Sequence, residues 1–196
     1  MPADRKATIR ELKLLLQGAD ELAGEGLTAV LQRVADGAAT LLRAHGASVM
    51  LADEDEVLRC AAASGSPGRR LGTAQERLGA GPAHDSFAQD APVACRDVTT
   101  DKRWPDLRHL IDPAAVRAVL SAPLTLPHGG PIGVLDVFAS RARDWDMAEI
   151  ADTMVYAGVA ASLIALALEA RLRGVLLDRL LEALRAATDR PGPEDG

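Results

Sequence analysis

One carboxylate stands out as a residue that could do chemistry. Asp136 sits in the run Ile132-Gly133-Val134-Leu135-Asp136-Val137-Phe138, apolar on both sides. An acid in such a run is either solvated on an open sheet face or buried, and a buried one needs a hydrogen-bond donor. Phe138 shares its face by the two-residue period of a strand. Ser121 and Thr125 on the preceding run, and Ser48 and Met50 on the run 47–51, are expected on the same face. Ser86, Phe87, Trp104 and His109 lie on short helices and a connection, which the family resemblance given below implies as the roof of this face. His109 or a ligand is the expected donor to Asp136. A covered sheet face that is neither wholly apolar nor wholly charged has the makings of a small-molecule pocket. These residues, Thr125 apart, form the candidate ligand-binding set.

The other reactive groups do not converge on a catalytic arrangement. Cys60 and Cys95 are not at metal spacing and are too few for a disulfide framework. Cys95 has no nearby histidine and reads as a buried, inert thiol. Among the histidines, His45 (beside a helix stop) and His128 (in a hairpin) should be exposed. No histidine pair, His84 and His109 included, has zinc spacing. Gly65-Ser66 lacks the rest of a nucleophile elbow. The glycines of 64–82 lack the Lys-Ser/Thr of a phosphate loop, and His84 stands where a dinucleotide fingerprint wants glycine. The acids at 53–56 lack the spacing of a calcium loop and read as a solvated turn. The basic spots Arg69-Arg70, Lys102-Arg103 and Arg171/Arg173 are scattered and read as solvated. No enzyme activity, metal or cofactor is assigned.

The elements that must position the candidate face follow from periodicity. Residues 119–126 alternate Leu120, Ala122, Leu124 and Leu126 against Ser121, Pro123 and Thr125, which predicts a strand. Pro123 predicts a bend or bulge in it. His128-Gly129-Gly130 supplies a hairpin turn into the second strand, 132–138. Leu120, Ala122, Leu124, Leu135 and Val137 should then pack under helices. Upstream, Leu27–Ala44 predicts a helix with Thr28 as a possible cap and His45-Gly46 as its stop, and 47–51 and 57–63 predict strands. Residues 64–82 read as a mobile loop with a turn of helix near 74–78. Next come a short helix at 82–89, a strand at 92–98, a polar connection, and a short helix within 109–118 capped by Asp112 with Pro113 first. The sum is α+β.

The chain ends in a long helix. Asp146 and Glu149 form a capping box, with Trp145 and Ile150 as a hydrophobic staple. The next proline is Pro191, so one helix can run from Met147 to about Thr188 despite Gly158 and Gly174. At 1.5 Å per residue it spans roughly 60 Å and should project beyond the domain. Leu168, Leu172, Leu176, Leu180 and Leu184 recur every four residues on it. A projecting apolar stripe predicts an interface, here a homodimer. A short amphipathic helix at 5–17, carrying Ile9, Leu12 and Leu16, could join it in a four-helix bundle.

Length and charge bound the rest. The 196 residues suffice for one domain plus an extension. A net charge of −6 argues against a general nucleic-acid binder. The start lacks the apolar core of a signal peptide. The uncharged run 153–168 is shorter than the ~18–20 residues of a spanning helix, so no membrane partner is expected and a cytoplasmic setting fits.

The local strings LLRAHGASVMLADEDE, GPAHDSFAQDAPVACRDVTTDKRWPDL, VRAVLSAPLTL, PIGVLDVFAS and DWDMAEI resemble a GAF domain over about 27–168. They are similar to the GAF part of actinobacterial regulators in which it precedes an RNA-binding ANTAR domain. The 26 residues from Arg171 to Gly196 are too few for that module, so no RNA-binding domain is expected. The resemblance implies a five- or six-stranded antiparallel sheet with the first and last helices on one face. Loops and short helices would roof the other, where GAF domains often bind a small molecule. The Asn-Lys-Phe-Asp-Glu pattern of cyclic-nucleotide GAF domains is not recognisable. Nor are the cysteines of bilin-binding or methionine sulfoxide-reducing members. The expected organisation is a helix and linker over 1–26, the domain over 27–168, a dimerising extension over 169–190 and a disordered tail over 191–196. The expected role is a sensory or regulatory module that binds a small molecule or a partner regulatory protein. The alternatives are a ligand-free dimerisation scaffold and a GAF/ANTAR-type transcription regulator without its RNA-binding domain.

Overall fold

The hairpin organises the molecule. In the computed structural model, which describes residues 26–126 and 129–188, ten elements follow one another. Helix α1 covers Leu27–Leu41, and strands β1 and β2 cover Gly46–Ala52 and Leu58–Ala63. Helices α2 (Gly65–Leu78) and α3 (Pro82–Gln89) come next, then the three-residue strand β3 (Val93–Cys95) and a 3-10 turn at Leu107–His109. Strands β4 (Ala118–Thr125) and β5 (Pro131–Ala139) form the hairpin, and α4 runs from Met147 to Thr188. The sheet order is β2-β1-β5-β4-β3, and every pairing is antiparallel. Asp136 stands level with Ser48 on β1 and Ser121 on β4. The expected bend at Pro123 is a register shift between Pro123 and Thr125.

The two sheet faces divide as the alternation predicts. Ala47, Val49, Leu120, Ala122, Leu124, Leu135 and Val137 pack against α1 and α4. Helix α1 contributes Leu31, Val34, Ala35 and Ala38, and α4 contributes Tyr156, Ala157, Ala160, Ala161 and Ile164. Each leucine so buried is worth roughly 1.5–3 kcal/mol. Tyr156 donates its hydroxyl to Val34 O at 2.8 Å, tying the helices to each other. The opposite face carries Ser48, Met50, Val119, Ser121, Val134, Asp136 and Phe138, roofed by α2, α3 and the 3-10 turn.

Helix α4 begins as its sequence demands. Glu149 N–H donates to Asp146 Oδ1 at 2.8 Å, and Asp146 N–H donates to Glu149 Oε2 at 3.0 Å. Trp145 and Ile150 both pack, half-buried, against the helix-side core. The helix is continuous through Gly158 and Gly174. Its 24-residue stretch Met147–Ala170 is long and apolar enough to cross a membrane by length and composition. Here that stretch supplies the residues that cover β4 and β5.

Several local expectations are corrected. Residues 65–78 form a full helix instead of a loop. Gly68 and Gly72, four apart, face the sheet. A Cβ on Gly68 would stand 2.4 Å from Ala47 O, and one on Gly72 would stand 2.5 Å from Cys60 Sγ. Close approach to the sheet thus overrides the ~1 kcal/mol that each glycine costs a helix. Helix α1 starts after Gly26, without a side-chain cap from Thr28. It stops at Arg43, not at His45-Gly46: Arg43 is left-handed (φ 52), and Arg43 N–H and Ala44 N–H return to Thr40 O and Ala39 O. Gly46 opens β1 because the Phe138 ring fills the space a Cβ would take, 2.3 Å away.

Strand β3 ends at Cys95, short of the expected Val98. The Asp97 carboxylate bonds the amide and hydroxyl of Thr99 and pairs with Arg117, turning the chain out of the ladder. Asp112 caps a single turn rather than a helix, accepting from Ala114 N–H at 2.9 Å. The expected helix at 5–17, the tail 191–196 and His128 of the hairpin lie outside the described residues.

Candidate functional site

Asp136 is wholly buried. Its carboxylate receives three side-chain donors from three elements. Ser121 Oγ on β4 donates to Oδ1 at 2.6 Å. Ser48 Oγ on β1 donates to Oδ2 at 3.1 Å, and Gln75 Nε2 on α2 donates to the same oxygen at 2.7 Å. Burial pushes the Asp136 carboxyl up to about 6, with the three donors pulling the other way. The alternative of a solvated Asp136 is therefore overturned, and its donors are Ser48, Gln75 and Ser121 in place of His109.

Gln75 is the residue sequence reasoning missed. Its Oε1 accepts the Ala83 N–H at 2.8 Å, so one carboxamide joins the sheet, α2 and the first turn of α3. Gly81 makes room for it, since a Cβ there would stand 2.5 Å from Gln75 Oε1. The signal lay in the spacing Gly68, Leu71, Gly72, Gln75, one helical face, all buried. Reading 64–82 as a loop concealed it.

The structure brings together all of the expected ligand-binding residues except His109. Met50 packs with Ala83, Val134, Leu58 and the half-buried Phe87. Phe138 packs with Trp104, Leu71 and Val119. The Arg103 guanidinium lies 4.1 Å over the Trp104 ring. Ser86 Oγ lies 2.8 Å from Ala91 O, to which it donates, and 3.3 Å from Ser121 O. His109 is exposed on the 3-10 turn and accepts from Arg108 Nε at 3.2 Å. The face is thus lined by the chain's own packed side chains, with Asp136 satisfied at its centre.

Neither thiol is primed for nucleophilic work. Cys95 is buried on β3 and donates to Asp101 Oδ2 at 3.3 Å; burial, then the carboxylate, push it up to about 12. Cys60 on β2 is half-buried, and burial raises it too. His84, on α3, is half-buried and held below its ordinary value by desolvation.

The expected interface residues lie on α4. Leu168 is half-buried against the helix-side core. Leu172, Leu176, Leu180 and Leu184 fall on the helix, but their side chains lie outside the described residues. Further toward its start, Val155 and Leu166 are half exposed.

Comparison with known proteins places this arrangement. The GAF domain family matches residues 24–169. The GAF domain of a phosphoenolpyruvate-protein phosphotransferase from Coxiella burnetii superposes with a TM-score of 0.66 at 18% identity, covering 88% of this chain and 99% of that one. Residues 122 to 287 of a methyl-accepting chemotaxis protein give 0.56 at 19% identity, covering 76% and 95%. A free methionine-R-sulfoxide reductase from Neisseria meningitidis, solved with its substrate, gives 0.59 at 17% identity, covering 81% and 91%. No curated protein sequence matches. At these identities the solved structures speak to the fold alone.

Proposed function

The chain belongs to the GAF domain family, and we propose that it senses at the roofed sheet face and passes the change outward along α4. GAF domains are sensory modules in signalling proteins. The observation that supports the reading is the Gln75 carboxamide, which donates to Asp136 and accepts from Ala83. A small molecule presenting an adjacent N–H donor and oxygen acceptor, as a carboxamide does, offers the same pair. By replacing Gln75 it would release α2 from β5, with Ser48, Ser121 and Ser86 supplying polar contacts and Met50, Phe87, Trp104 and Phe138 the apolar walls. The module acts by binding, without a catalytic step, in a cytoplasmic setting.

Output would run through a homodimer formed by the α4 extension, Leu168 to Leu184 at four-residue spacing, to a partner regulatory protein. One observation favours a second reading, a ligand-free dimerisation scaffold. Gly68 and Gly72 hold α2 so close to the sheet that a single methyl does not fit.

Native mass spectrometry of the protein purified from its own host separates the two. A dimer carrying an additional small mass that Gln75→Ala alters supports sensing. A dimer that stays bare and gains no thermal stability from any carboxamide metabolite supports the scaffold. A monomer sinks the output half of both.

A further inference from the structure

Across the sheet from Asp136, the end of α1 meets the start of α4. A cavity of about 270 Å3 lies there, lined by Leu42, Arg43, Arg143, Trp145, Asp152 and Thr153 among others. Its charged groups can be accounted for one by one. Arg143 is committed to Glu149, 2.7 Å away, and stacks 3.9 Å over the Trp145 ring. Asp146 and Glu149 cap α4, and Asp144 pairs with Arg96. What remains is one cation and one anion. The side chains of Arg43 and Asp152 make no hydrogen bond or ion pair with any described residue, and they do not pair with each other.

Two further observations point to an occupant. Arg43 has a left-handed backbone, φ 52, at the position where helix ends usually place glycine. Its side chain is exposed at the cavity and has no partner among the described residues. Trp145 lines the same cavity, and its indole N–H is buried without an acceptor among the described residues.

We propose that this cavity binds a small zwitterion of amino-acid type. Its carboxylate would meet the Arg43 guanidinium and the Trp145 N–H, and its ammonium would meet the Asp152 carboxylate. The left-over charges match a ligand of one positive and one negative group. A phosphorylated ligand would bring excess negative charge against Asp144, Asp146, Glu149 and Asp152. A bare cation would leave Arg43 and the indole N–H unanswered. The volume falls just below the ~300–1,000 Å3 usual for small-molecule sites, which suits an amino acid better than a nucleotide. Since α1 and α4 both wall the cavity, occupancy would tie one helix to the other. The site is independent of the sensing face proposed above.

The test is NMR of the full chain titrated with each proteinogenic L-amino acid in turn. The chain has two tryptophans, so Trp104→Phe assigns the two indole N–H resonances. At least one amino acid should shift the Trp145 resonance saturably. Its N-acetyl and its carboxamide derivatives should each bind ~10-fold or more weakly, as should the amino acid itself to Arg43→Gly and Asp152→Asn. Arg43→Gly suits the left-handed backbone, so it keeps the fold while removing the cation. The proposal is overturned if no amino acid moves the Trp145 resonance. It is equally overturned if the derivatives, or the two variants, bind as tightly as their parents.

Discussion

Gln75 and Asp136 stand 61 positions apart and share a 2.7 Å hydrogen bond at a place solvent does not reach. The bond fixes α2 to the middle strand of the sheet. Removing the carboxamide leaves a buried carboxylate short of a donor. Gln75→Ala should destabilise the fold by about 1–3 kcal/mol in urea titration, and Gln75→Leu by a similar amount. An unchanged midpoint for both would mean that the serines alone satisfy the acid.

The same carboxyl makes stability depend on pH in a defined direction. Its folded value, about 6, lies above the ordinary 3.8, so the folded state holds this proton more tightly than the unfolded one. The contribution is full below about 4 and is lost as pH rises through 6, up to about 3 kcal/mol in all. Asp97, held low first by its Arg117 hydrogen bond, and Asp101, held at about 2 first by Arg103, act oppositely at more acid pH. Chemical denaturation of wild type and Asp136→Asn between pH 4 and 7 isolates the effect. The stability difference between them should change across that range; a constant difference refutes the assignment.

Gly72→Ala places a methyl 2.5 Å from Cys60 Sγ, and overpacking of this kind costs about 1–3 kcal/mol. Cys60→Ala should restore more than half of that loss, a coupling read from a double-mutant cycle. Gly68→Ala meets the Ala47 carbonyl instead, and no side-chain change at position 60 should rescue it.

Gly158 offers the opposite case. Nothing lies within 4 Å of a Cβ built there. Gly158→Ala should raise stability by up to ~1 kcal/mol through helix propensity alone, visible as a higher melting temperature. A drop would show that another chain packs against that spot.

The proposed dimer has its own test. Leu176→Lys or Leu180→Lys should convert dimer to monomer in sedimentation velocity, with the near-ultraviolet spectrum of the domain preserved. Retention of the dimer in both would move the interface off the extension.

The architecture was legible in the sequence where one period held over a whole element. Alternation at 119–126 and 132–138 gave the hairpin and assigned its faces, and Asp146 with Glu149 gave the start of α4. The candidate face was legible for the strands, because register on a sheet follows from alternation. It was not legible for α2. Its glycines are breakers by local propensity, and their purpose, close contact with Ala47 and Cys60, exists only in the folded chain. Gln75 was hidden with them. His109 was misplaced for the converse reason: a polar connection without periodicity gives no direction to its side chains.

The unbroken course of α4 has a mechanical consequence. Its first half is clamped to the sheet through Tyr156, Ala160 and Ile164, while its 42 residues make one rod of roughly 60 Å. Such a rod is a lever with its fulcrum on the sheet. A tilt of about 5° where the helix leaves the sheet, after Ile164, would carry the tip about 3 Å sideways, more than half a helical turn. A rearrangement too small to disturb the core can thus become a displacement large enough for another protein to read.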